Sequence, residues 1–545
     1  MSLGVAPKHE ELFQSIASYC EGLSESSLYR LLHTQGDALF ADESFADLFE
    51  DVGRRSVPPR IVATVMVLQR VEGLSDREAV DRFAFDLRWK YAARVGLDFP
   101  AFVHTVLVDM RARLRGSSRP NRIFETTLEM AKSAGLVGRK RVLDSTALYD
   151  AVATQDTVTM IRASIRRLLG IVDNALASDL RGVLTRDDDY ATPGKPVCDW
   201  DDEPAREALI DALARDAYAV LAFLDGRELS EAIKEAAALV ARVVGQDLEQ
   251  REDGLFRIAR RVAPDRVISV VDPEARHGHK TAARGFDGYK GHIAIDPDSE
   301  IITAVAVTAG NVGDATAAPD LLKDVLRDGS SEADLARGEG IVDVSEPGVM
   351  PSDGCSPEGS VVAPAVEIYG DASYGSAELL EHIEQGGATA EVKVQPPPAR
   401  SGYFAQDKFT IDIKGGTVTC PNGVLVPLRR YKGDGVAYAR FGANCTDCPM
   451  RAQCTDSKEG RVVNVNAKHE LLERHRKRHA DPSNLKRYRA TRPKVERKLA
   501  HLMRRRHGGR RARVRGKLRV GHDFALLAAT VNLARLAVLG STAMV

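Results

Sequence analysis

Residues 288–310 constrain the fold more than any other stretch. GYKGHIAID (288–296) alternates apolar and polar side chains, DPDSE supplies a turn, and IITAVAVTAG (301–310) returns. Period-two alternation on both sides of a short polar turn predicts a β-hairpin. Three further runs read as strands. RKRVLDSTALYD (139–150) holds a short β-run, Arg141 to Leu143, that ends on Asp144. VEIYGDASYG (366–375) is an apolar run ending at Asp371, and ATAEVKVQPPP (388–398) is a strand stopped by prolines. ATAAPDLLKDVL (315–326) suits a helix and SAELLEHIEQ a short amphipathic one. The order is β, helical stretch, hairpin, helix, β, helix, β, then a cysteine-bearing section and a final basic helical part.

The flanks are helical. Within 1–135, Ser56 with Pro58 and Pro59 starts a helix in which Ile61, Val62, Val65 and Leu68 recur at helical spacing. Gly73 ends it, and Ser75 with Glu78 forms a capping box for the next. Helix, short Gly turn and capped helix fit a helix-turn-helix with Arg77 and Arg82 on the second helix; two helices of a plain bundle fit as well. From 151 to 262 the periodicity is helical again, interrupted by the polar loop RDDDYATPGKPVCDWDDEP (186–204), and reads as an insertion.

A chain of 545 residues implies two to four domains, and 44% hydrophobic with 28% charged residues describes a soluble protein. Its net charge of −1 conceals an asymmetry: residues 461–520 carry 22 Lys and Arg against 4 Asp and Glu, which calls for a polyanionic partner. The segment 325–370 is rich in Gly, Pro, Ser, Asp and Glu and reads as a linker. No uninterrupted run of about 18 apolar residues appears, nor does a basic-then-apolar leader, so no membrane and a cytoplasmic location are expected.

Asp144 and Asp371 each end a predicted strand. Singly, each is explained as a turn or helix N-cap residue. Together, carboxylates at one end of a sheet suit Mg²⁺ or Mn²⁺, and two such ions serve phosphoryl transfer. A third carboxylate is Glu496, the one acidic residue in TRPKVERKLAHLMRRRHGGRRARVRGK (491–517). It is either an i,i+4 partner of Arg492 or a metal ligand set beside a phosphate backbone.

With these pieces in place, the chain resembles bacterial insertion-sequence DDE transposases of the group with a Tyr–Arg–Glu–Lys signature. The matching stretches are RVLDST, VDPEARHGHK…FDGYKGHIAIDPDSEIITAVAVTAGNVGDA, IYGDASYG, RYRATRPKVERKLAHLMRRRHGGRRARVRG, FALLAATVNLARLAVL and the N-terminal PPRIVATVMVLQRVEGLSDREAVDRF. The resemblance implies an α/β ribonuclease H-like core (136–150 and 263–400), interrupted by the helical insertion (151–262). Around it lie an all-α DNA-binding domain (1–135), a small Cys-bearing insertion (401–465) and a basic C-terminal part of the core (466–545). Asp144, Asp371 and Glu496 become the catalytic, metal-binding triad. Tyr488 with Arg489 or Arg492 takes the Tyr–Arg part. Where the last signature cation is expected stands Met503, followed by Arg504. DNA contacts are expected from Arg77, Arg82, Lys290, Tyr488, Arg489, Arg492, Lys494, Arg497, Arg504, Arg510, Arg511 and Arg513.

Cys420 in VTCPNG and Cys445, Cys448 and Cys454 in NCTDCPMRAQCT allow a structural Cys₄ zinc site, with free intracellular thiols as the alternative. HGHK (277–280) and HRKRH (475–479) read as nucleic-acid contacts. The expected activity is cleavage and strand transfer at the inverted ends of an insertion sequence, by a homodimer on double-stranded DNA with two Mg²⁺ or Mn²⁺. A metal-dependent nuclease without strand transfer, or an inactive DNA-binding regulator, are the alternatives.

Overall fold

The structure is a computed structural model that describes residues 1–5, 16–150, 154–281, 283–326, 365–397, 402–430 and 436–542. Most of the predicted linker at 325–370 lies outside these residues. The centre is a six-stranded sheet of β1 (Lys140–Tyr149), β2 (Arg276–Thr281), β3 (Arg284–Ile295), β4 (Ile302–Ala309), β5 (Glu367–Gly370) and β6 (Thr389–Val392). The order is β2-β3-β1-β5-β6, with β4 also paired to β3. β3 and β4 form the expected antiparallel hairpin, β1 runs antiparallel to β3, and β1, β5 and β6 are parallel. The DPDSE turn is held by Asp296, whose Oδ1 accepts from the backbone N–H groups of Asp298 and Ser299, while Glu300 takes a positive φ of 60°.

β1 differs from its prediction. It does not stop at Asp144 but continues to Tyr149, because β3 supplies a partner for every residue from Val142 (opposite Ile295) to Tyr149 (opposite Gly288). Asp144 is therefore a mid-strand residue opposite Ile293. Asp371 does follow its strand and caps a short 3₁₀ turn, accepting from Ser373 N–H at 2.9 Å. β1 and β5 pair with Val142 opposite Tyr369; two residues further along that register, Asp144 is level with Asp371.

The N-terminal helices include α1 (Pro59–Glu72), α2 (Asp76–Phe85), α3 (Thr105–Gly116) and α4 (Arg122–Ser133). α1 is buried from Pro59 to Arg70, as a central core helix must be. It ends at Gly73, whose φ of +69° needs glycine, and a Cβ there would lie 2.2 Å from the Arg506 carbonyl oxygen. Both halves of the Ser75–Glu78 capping box are made.

The stretch after β1 holds α5 (Thr157–Leu169), α6 (Glu203–Leu224) and α7 (Glu231–Asp247), which close on a separate apolar core that includes Ile161, Ile165, Leu213, Val240 and Val243. The helix predicted at 315–326 is shorter, a 3₁₀ turn followed by Ala318–Leu322. α8 (Ala377–Gln385) covers the sheet through Leu380 and Ile383 beside Leu143, Ile368 and Val392. Two small three-stranded sheets follow between Thr410 and Val465.

The chain ends in α9 (His469–Ala480), α10 (Pro482–Thr491), α11 (Pro493–Leu502) and α12 (Lys517–Thr542). α12 is long and apolar enough by composition to cross a membrane, with Asn532 and Arg535 interrupting its apolar run, but 67% of its most apolar window is buried inside the protein. It is a core helix, packed between β4 and the N-terminal helices α1 and α4. Buried Asn532 fixes it to the sheet, exchanging two 2.8 Å hydrogen bonds with the backbone of Ile302.

Candidate catalytic site

Three elements bring carboxylates to one guanidinium. Asp144 comes from mid-β1, Asp371 from the turn after β5, and Glu496 from the first turn of α11. Arg492 stands at the junction of α10 and α11, where Pro493 opens the second helix. Its Nη2 lies 3.0 Å from Asp144 Oδ1 and 3.7 Å from Asp371 Oδ2, and its Nη1 is 3.7 Å from Glu496 Oε1. The i,i+4 pair between Arg492 and Glu496 thus exists, as part of a larger cluster.

Burial differs sharply across the three acids: Asp144 is 13% exposed, Asp371 41% and Glu496 64%. Burial pushes the Asp144 carboxyl above the ordinary aspartate range, and Arg492 only partly offsets this. Burial works against the Arg492 charge too, but Asp144 and Asp371 outweigh it, so its pKa is raised. Arg492 Nε is buried with no hydrogen-bond partner among the described residues. Among the described residues no three His, Cys, Asp or Glu side chains stand close enough to hold a metal ion as they are. At this cluster the resident cation is Arg492. The donor set itself, three hard carboxylates with one cation among them, fits a divalent ion such as Mg²⁺ or Mn²⁺.

Sequence reasoning missed a fourth carboxylate. Asp314, in the quoted NVGDA, accepts from Ser145 Oγ at 2.6 Å and from Lys290 Nζ at 2.9 Å. Ser145 directly follows Asp144, so Asp314 braces the strand that carries it. His292 lies beside this network, with Nε2 2.8 Å from Thr308 Oγ1, and burial lowers its pKa to about 4. The signal in the sequence was weak: Asp314 lies five residues beyond the end of β4, whereas Asp371 directly follows β5.

The expected DNA contacts divide into two sets. Lys290 makes an inward ion pair with Asp314 at 2.9 Å and is 15% exposed, because β3 lies inside the sheet. Lys494 reaches Asp298 at 3.3 Å and Arg497 pairs with Glu300, so both dock α11 on the hairpin turn. Arg82 is shared between Glu72 at 3.6 Å and Asp86 at 3.7 Å. Tyr488 is half-buried and donates to the Gly370 carbonyl at 3.2 Å, beside Asp371. Arg513 donates to the Leu74 carbonyl. By contrast, Arg77, Arg489, Arg504, Arg510 and Arg511 are exposed and have no carboxylate partner among the described residues. Met503 packs at the edge of the main core, while Arg504 points to the exposed side.

Cys420, Cys445, Cys448 and Cys454 line one small cavity of about 20 Å³, and all are free thiols. Cys445 Sγ accepts from the Arg461 backbone N–H at 3.5 Å. The surrounding core is small, with Phe409, Val418, Val426, Phe441 and Val463 its main members.

Three family models match. One described as a transposase domain (DUF772) covers residues 19–113, a transposase DDE domain covers 255–340, and a second transposase DDE domain covers 419–537. No curated protein and no solved structure matches. DDE transposase domains imply a ribonuclease H-like core, act on DNA and generally use Mg²⁺ or Mn²⁺. Transposase models thus match three separate stretches, in the N-terminal helices, in the sheet and in the C-terminal part, and together indicate an insertion-sequence DDE transposase.

Proposed function

We propose that the protein binds the inverted ends of its own insertion sequence, cleaves them and joins the freed 3′-hydroxyl to target DNA. The observation that carries this reading is the convergence of Asp144, Asp371 and Glu496 on Arg492. The three carboxylates would hold two Mg²⁺ or Mn²⁺, which supply an activated water or 3′-hydroxyl and stabilisation of the leaving oxygen. Arg492 keeps the acids together before DNA arrives. Tyr488, tied to Gly370, fixes the start of that arrangement. Arg489, Arg504, Arg510 and Arg511 hold the backbone, while α1, the Gly73 turn and α2 carry Arg77 to base edges. The working form on DNA is a homodimer in the cytoplasm.

The four cysteines are assigned one structural zinc. A core this small, with strands of two to four residues, needs a staple, and a Cys₄ zinc supplies one in a reducing compartment.

Incubating the protein with its flanking genomic DNA ends and Mg²⁺, then mapping breaks and joints, tests the activity. Breaks at the element ends joined to new DNA are expected. Breaks without joints make it a stand-alone nuclease, and bound but intact DNA makes it a regulator.

A further inference from the structure

A cavity of about 260 Å³, outside the carboxylate cluster, opens where α1, α3, α4 and the start of α12 meet. Its apolar lining includes Met66, Leu114, Phe124 and Leu526. The rest is dominated by arginine. Two of these are neutralised: Arg70 pairs with Asp523 at 3.1 Å and Arg111 pairs with Asp76. Arg115, Arg513 and Arg519 form no ion pair among the described residues, although Arg513 donates to the Leu74 carbonyl and feels Asp523 and Asp76. Partial burial, with Arg519 and Arg111 close by, holds the Arg115 pKa below its usual value.

A second observation concerns His522, which lines the same cavity. Its Nδ1 lies 2.9 Å from Asn121 Oδ1, and its Nε2 is buried without a hydrogen-bond partner among the described residues. Arginines without an ion pair among the described residues and an unmatched ring nitrogen around one concave space, with apolar side chains in the same lining, describe a receptor for a part-anionic, part-apolar group. The basic segment leads into it. Tyr149, the last residue of β1, exchanges backbone hydrogen bonds of 2.8 Å with Arg510 and Ala512, and the next residue, Arg513, is at the cavity.

We propose that this cavity binds one nucleotide unit, its phosphate held by Arg115, Arg513 and Arg519 and its sugar and base laid against Met66, Leu114, Phe124 and Leu526. The phosphate comes either from a DNA strand led along residues 504–513 or from a free nucleotide. Only the first source rests on the transposase reading.

The test uses the full chain with deoxyadenosine monophosphate and inorganic phosphate as probes, followed by calorimetry. The variants are Arg115→Gln with Arg519→Gln, and His522→Gln. Neither arginine has an ion-pair partner among the described residues, so the double variant should melt as the wild type does. Binding of deoxyadenosine monophosphate, tighter than of phosphate and weakened at least about tenfold in the double variant, is expected. Arg115→Lys with Arg519→Lys should retain part of it. In the DNA arm, the double variant should lower the log–log salt slope by about 1 to 2, at roughly 0.9 per phosphate contact. If saturating duplex DNA blocks the mononucleotide, the source is the strand; if the DNA complex still takes it up, the source is a free nucleotide. No difference between wild type and double variant toward either probe, with an unchanged salt slope, would overturn the site. A wild type that binds the mononucleotide but no DNA would remove the transposase reading and leave the cavity assignment standing.

Discussion

Replacing Arg492 by Met removes the one cation that touches all three carboxylates and keeps a side chain of similar length. Arg492 and Asp144 are 8% and 13% exposed and 3.0 Å apart, which makes them a buried pair. At an effective dielectric of ~20 their gross attraction is on the order of 5 kcal/mol. The variant can escape part of this by protonating Asp144, at a cost near pH 7 of about 4 kcal/mol for a carboxyl with a reference pKa of ~3.9. The expected loss is therefore about 3–4 kcal/mol, in line with stripping one partner from a buried pair. Its pH dependence has a definite sign. The folded pKa of Asp144 is already raised, and losing Arg492 raises it further. The penalty is then small at low pH and grows by about 1.4 kcal/mol per pH unit until the folded carboxyl ionises. If Mg²⁺ takes the same carboxylates, it should stabilise the variant by about 1.4 kcal/mol at tenfold the variant's dissociation constant, and the wild type by less. Urea unfolding of both proteins between about pH 5 and pH 8, with and without Mg²⁺, reads all three effects. Equal stability at about pH 8, or an equal response to Mg²⁺, would refute the view that Arg492 stands in for a cation at this cluster.

DNA binding should weaken steeply with salt: five exposed arginines with no carboxylate partner among the described residues (Arg77, Arg489, Arg504, Arg510 and Arg511) support a log–log slope of magnitude about 4 or more, at roughly 0.9 per phosphate. A flat response in a filter-binding titration would remove nucleic acid as the partner. Elemental analysis should find about one zinc per chain, with Cys448→Ser losing metal and solubility together; four freely titrating thiols and no zinc would end the assignment. His292, held by burial at a pKa of about 4, is favoured neutral in the fold, so its contribution is complete above about pH 6.5 and lost as pH falls toward 4. Unfolding experiments should show up to about 3 kcal/mol disappearing across that window, and His292→Gln should flatten it.

Local chemistry was legible and long-range pairing was not. The capping box at Ser75, the αL glycine at 73 and the DPDSE turn depend on residues a few positions apart, and each is made as read. The length of β1 was underestimated because Ser145 to Tyr149 become strand through β3, more than 130 residues away. Asp144 and Asp371 were picked out by the strand-end rule, although only Asp371 obeys it; parallel register brings Asp144 alongside. Spacing alone paired Arg492 with Glu496, yet the shorter contact, to Asp144, crosses most of the chain. The same holds for Asp314, Lys494 and Arg497, whose partners belong to other elements of the sheet. A basic run in sequence mixes cations that dock helices with cations left free for a ligand, and only packing separates them.

Glu496 offers the most direct test of the central claim, because it is 64% exposed and its loss cannot be mistaken for unfolding. As a mere helix partner of Arg492 it would be worth about 0.3–0.5 kcal/mol. Glu496→Gln should therefore fold, bind the element ends as the wild type does, and lose Mg²⁺-dependent cleavage of those ends by several orders of magnitude. An amide variant that still cleaves would contradict the triad and return this glutamate to an ordinary helix surface.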